Sequence, residues 1–172
     1  MSKDELNALV DHGVEYANKI LIEDRHKELS PIFHLISRSG KEDAVVSTPW
    51  GNNFEKKLAV AQVKSMARKM DARMVLFMTE AWVTKHRTEK PLTSWHARQE
   101  AAKEYPPPSE SPERIEIVMI LATNPDNEYA SRMLQIVRHK PGGRIVSLVP
   151  DADAPKTYES WIFDGMFRPS HE

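Results

Sequence analysis

Apolar residues recur along this chain with two different periods, and the switches between them mark out its elements. Leu6, Leu9, Val10, Val14, Ala17, Ile20 and Leu21 fall at helical spacing and form one stripe. Ser2 and Glu5 fit a capping box, so a first helix is expected from about Lys3 to about Lys27. Gly13 interrupts the stripe at a cost of about 1 kcal/mol against alanine, which close packing on a sheet would offset. Ser30-Pro31 then breaks the helix. Ile32–Ser37 and Ala44–Thr48, joined by Ser39-Gly40-Lys41, read as a hairpin. Helical spacing returns from Phe54 to Met70, with Asn52 or Asn53 as cap. Leu58, Ala59, Val63, Met66, Ala67 and Met70 share its apolar arc, with Lys57, Lys64 and Arg68 opposite.

Two later runs lose the alternation. Met74–Met78 and Ile115–Leu121 are short, apolar at nearly every position and rich in strand formers. Such runs suit strands buried on both faces, hence the centre of a sheet. Met133–Val137 and Ile145–Val149 add two more strands, separated by the Lys140-Pro141-Gly142-Gly143 turn. Between the central strands, residues 83–112 form an irregular insert with a Pro106-Pro107-Pro108 run and a short helix expected through Trp95–Glu104. The aromatic segment Tyr158–Phe167 should pack back or bind a partner. The expected fold is α+β: one domain over 1–172, with a single, mostly antiparallel sheet of about six strands and two main helices packed on one face.

Composition narrows the function mainly by exclusion. Lacking cysteine, the chain has no thiol nucleophile, disulfide, iron–sulfur cluster or cysteine zinc site. No phosphate loop, dinucleotide fingerprint, metalloprotease helix or nucleophile elbow occurs, and 6 glycines leave little for a Gly-rich cradle. No cofactor is therefore expected. No apolar run is long enough to span a bilayer, and Met1–Glu5 is charged. A cytoplasmic, non-membrane protein is the expectation. Charge is uneven: residues 1–28 and 150–172 each carry −3 within a net −1, leaving +5 for the middle.

The polar candidates gather where the central strands meet the insert. Antiparallel pairing would bring Glu80 and Trp82 near Arg114 and Glu116. Two carboxylates with a guanidinium can bind a ligand or tune a general acid, which makes Glu80, His86, Arg114 and Glu116 the catalytic candidates. The competing expectation is a structural ion pair, Glu80–Arg114 or Glu113–Arg114. His86 and His96 with Glu80 form a conceivable metal set, but scattered loop histidines are more often solvated, and no metal is expected. Trp82 and Trp95 are candidates for ligand stacking. Lys57, Lys64 and Arg68 form a basic helix face that can contact nucleic-acid phosphates.

Glu80-Ala81-Trp82, taken with Pro108-Ser109-Glu110-Ser111-Pro112-Glu113-Arg114-Ile115-Glu116, resembles a pattern in uncharacterised phage and microbial proteins. That resemblance implies a phage or prophage-like accessory protein and no particular activity. The leading expectation is a small binding or protein-interaction module, with a homo-oligomer or a host protein as partner. An enzyme acting on a nucleotide or nucleic acid, and a nucleic-acid-binding protein using the basic helix face, are the alternatives.

Overall fold

The computed structural model describes residues 3–41, 43–83, 96, 100, 114–154 and 160–169. Its organising pair is β3 (Ala72–Val83) and β4 (Ile115–Thr123), which run antiparallel with Trp82 opposite Glu116. Around them lie β1 (Ile32–Ser37), β2 (Asp43–Ser47), β5 (Tyr129–Arg138) and β6 (Ile145–Pro150). The six strands form one sheet in the order β2-β1-β3-β4-β5-β6, and every neighbouring pair is antiparallel. The expected α+β class and six-stranded antiparallel sheet are what the chain adopts, and the two apolar runs are its central strands.

Helix placement corrects the expectation of two helices on one face. Helix α1 (Lys3–Asn18) packs Leu6, Leu9, Val10 and Ala17 against Met74, Leu76 and Met78. Helix α2 (Asn53–Lys69) packs Val60, Val63 and Ala67 against Val75, Phe77, Phe33 and Leu35 on the other face. The cause lies in β3 itself. A strand that is apolar at both parities exposes hydrophobic surface on both sides, so each face needs its own cover.

Gly13 has the role its position suggested. A Cβ built there would stand 2.9 Å from Ile120 Cγ2 and 3.4 Å from Met78 Sδ. Glycine thus sets how closely α1 approaches β3 and β4. After Asn18 the helix widens into one π-helical turn, Lys19–Glu23, and ends at Asp24 rather than Lys27. Arg25 takes a left-handed backbone, φ 57°, and turns the chain toward β1.

Asn52 is the cap of α2, its side chain accepting from the Glu55 amide at 2.9 Å. The inward arc of this helix differs from the expected one. Val60 faces the sheet with Val63 and Ala67, whereas Leu58 is 52% and Met66 41% exposed. The aromatic C-terminal segment helps to set this rotation. Ile162, Phe163 and Met166 are buried in the α2-side core, so the described part of this segment, from Ser160 on, does pack back. Lys56 lies over both the Trp50 and Trp161 rings, at 5.4 and 5.5 Å, which places its side chain at that seam.

Of the insert beyond Val83, only His96 and Glu100 are described, both exposed in helical backbone. No helix among the described residues is long and apolar enough to cross a membrane.

Candidate functional site

The site is built from the core-facing parity of three strands at the point where hydrophobic residues give out. On β3 the face that carries Met74, Leu76 and Met78 continues into Glu80 and Trp82. On β4 the same face runs from Val118 back to Glu116, and on β5 it runs from Leu134 and Ile136 to Arg138. α1 covers the apolar part of this face. Its charged end opens beside the chain corner at Arg25–Lys27.

Two carboxylates there are held differently. Glu116 takes two hydrogen bonds from Arg138, Nε to Oε2 at 2.7 Å and Nη2 to Oε1 at 2.5 Å. The same guanidinium donates through Nη1 to the Gly143 carbonyl at 2.8 Å, tying the β5–β6 turn to β4. The bond to Glu116 raises the Arg138 pKa further above its ordinary value. Glu80 instead accepts from the Leu29 amide at 2.9 Å. Burial raises its pKa above the ordinary carboxyl value. The Leu29 hydrogen bond and Arg138 oppose that rise, while Glu116 and Glu28 add to it.

Over this layer lies an open cleft of about 1060 Å³, lined by the Arg25–Lys27 corner, the ends of β3 and β4, the Pro141–Arg144 turn and the start of β6. Its described lining includes Arg25, His26, Lys27, Arg114, Arg138 and Arg144, with Glu116 as the one acidic residue. Glu116 is already committed to Arg138. Trp82 is 44% exposed in the cleft, and the Arg114 guanidinium carbon stands 4.7 Å from its ring centre. The arrangement suits a ligand that combines negative charge with a flat apolar ring.

The structure thus brings Glu80, Trp82, Arg114 and Glu116 to one end of the sheet, as strand pairing implied. It changes their partners. Glu116 pairs with Arg138, and Arg114 stacks on Trp82. Of the two acids, only Glu116 lines the cleft. His86 and Trp95 lie outside the described residues, as does Glu113. Among the described residues, no group of three or more His, Asp or Glu side chains could hold a metal ion.

Lys57, Lys64 and Arg68 sit on α2, across the sheet from the cleft. Lys57 is exposed, but Lys64 lies 5.9 Å from the Trp161 ring centre, and burial there lowers its pKa. Arg68 Nε donates to the Gly165 carbonyl at 2.8 Å. Two of the three are therefore engaged by the chain's own C-terminal segment.

Sequence reading missed Arg138, Arg25, Lys27 and Arg144. Arg138 alone left a signal: it occupies a core-parity position after Leu134 and Ile136, where a charge needs a partner. Comparison of the chain with models of known families, with curated proteins and with solved structures gives no match.

Proposed function

We propose that this chain is a binding module whose cleft takes an anionic ligand with a flat ring, of the nucleotide class. The observation that carries the reading is Trp82, a large aromatic ring half-exposed among basic side chains, with Arg114 against it. An aromatic platform can stack a base, and Arg25, Lys27 and Arg144 supply cations at reach for phosphate. Stacking on one aromatic side chain contributes about 1–3 kcal/mol per base, so one ring can decide the affinity of such a site.

The test is a titration of the protein with adenosine and guanosine triphosphates, followed by tryptophan emission and by thermal shift. Saturable quenching is expected, weakening as salt rises. Trp82→Leu should abolish it, and Arg144→Glu should weaken it by roughly ten-fold. Absence of both signals at millimolar nucleotide overturns the reading. An enzymatic version is favoured by one observation, the upward shift of Glu80 beside the cleft. It requires Glu80→Gln to remove turnover while leaving nucleotide binding in place.

A further inference from the structure

Across the sheet from the cleft, α2 presents an apolar surface that the described residues leave exposed. Phe54 is 76% and Leu58 52% exposed. Phe54, Leu58, Ala61 and Ser65 follow one another at steps of four, three and four residues, so they fall on one line along the helix. All four are exposed. Side chains on this line are large over the first half of the helix and small over the second. Exposed apolar residues grouped in this way mark an interaction surface, whereas scattered single ones do not.

We propose that this face docks an amphipathic helix of a partner protein, with acidic side chains flanking its apolar stripe. The charge of α2 selects that occupant. Of its basic residues, Lys56, Lys64 and Arg68 turn to the Trp50, Trp161 and Gly165 seam, which leaves Lys57 and Lys69 to charge the apolar line. Lys57 and Lys69 are exposed beside the stripe. A second copy docked face to face would set Lys57 and Lys69 against their own counterparts and pair like charges. Nucleic acid fits the surface less well. The centre of the face is apolar, and a phosphate backbone gives Leu58 nothing to pack on. Lys64 and Arg68 are also drawn to Trp161 and Gly165. An acidic amphipathic helix satisfies both features, placing its apolar positions over Phe54 and Leu58 and its carboxylates toward the flanking lysines.

The experiment uses the full chain and a fluorescein-labelled synthetic peptide of about three heptads, with leucine along its seam and glutamate at its flanks. A saturable rise in anisotropy is expected. The double variant F54S/L58S should weaken binding by at least roughly ten-fold. K57E/K69E should weaken it comparably, and a control peptide with lysine flanks should not bind. Both variants change exposed side chains, so circular dichroism and Tm should stay close to the parent's. No saturable binding of the acidic peptide overturns the proposal, as does equal binding by F54S/L58S. A dimer in sedimentation equilibrium that F54S/L58S dissociates assigns the stripe to a second copy and overturns it too. Binding of a single-stranded DNA oligomer that K57E/K69E removes, with no binding of the peptide, assigns the face to nucleic acid and likewise overturns it.

Discussion

Arg138 clamps Glu116 by a two-pronged hydrogen bond between neighbouring strands, with side-chain exposures of 18% and 16%. A pair so shielded contributes little net stability, but breaking it leaves one charge without its counterion. Arg138→Ala should lower unfolding stability by about 3 kcal/mol. Replacing both members, as Glu116→Gln with Arg138→Met, should cost clearly less. Arg138→Lys should rescue only part, because an ammonium cannot form the fork. Urea denaturation of the four proteins checks the order. Equal losses for the single and double variants would show that Glu116 does not depend on Arg138.

Gly13 has the opposite sign from an ordinary helix glycine. Alanine in a helix interior is worth about 1 kcal/mol over glycine. Here the added methyl meets Ile120 Cγ2 at 2.9 Å, a branch carbon of a fully buried side chain. Overpacking costs about 1–3 kcal/mol, so Gly13→Ala should destabilise on balance. Pairing it with Ile120→Leu, which lacks that methyl branch, should recover part of the loss. A higher Tm for Gly13→Ala alone would show that α1 can lift off the sheet freely.

Strand positions were legible because β3 and β4 are apolar at both parities, a pattern that few structures other than a central strand satisfy. Two kinds of information were not. A helical wheel cannot say which part of a broad apolar arc is covered. Leu58 and Met66 share that arc, but Val60 wins the sheet-facing place, with the segment around Ile162 and Phe163 completing the same core. Charge pairing was the second gap. Glu116 meets Arg138 only through the β4–β5 register, which no local pattern records. Glu80 and Trp82 could be placed because hairpin-like pairing of β3 with β4 needs only the two ends to meet. His86 and Trp95 fall in the insert, outside the described residues.

The start of α2 offers a discriminating test of local chemistry. Asn52 and Asn53 are both capping residue types, yet only the Asn52 side chain accepts from the Glu55 amide. Glu55 in turn accepts from the Gly51 amide, a reciprocal arrangement akin to a capping box. Asn52→Ala should cost about 1 kcal/mol, and Asn53→Ala should be close to neutral. Thermal melts of both variants decide the matter, and equal Tm values would remove the cap.

Glu80 gives stability a pH dependence whose direction follows from its environment. Burial raises its folded-state pKa above the ordinary 4.5, despite the opposing Leu29 hydrogen bond and Arg138. The folded protein therefore holds this proton more tightly than the unfolded chain does. In the interval that opens near 4.5 and extends to the raised value, the folded state binds more protons, so this group's contribution to stability falls as pH rises. Above the interval the ionised carboxylate carries its full burial penalty. Glu80→Gln keeps an oxygen for the Leu29 amide and removes the charge. It should stabilise the protein at neutral pH, and the advantage should shrink as pH approaches 4.5 from above. The check is the difference in unfolding free energy between variant and parent, measured in urea across that range. A difference that stays constant with pH would mean that Glu80 ionises in the fold as an ordinary exposed carboxyl does, and one that grows toward acid would mean that the fold lowers its pKa instead.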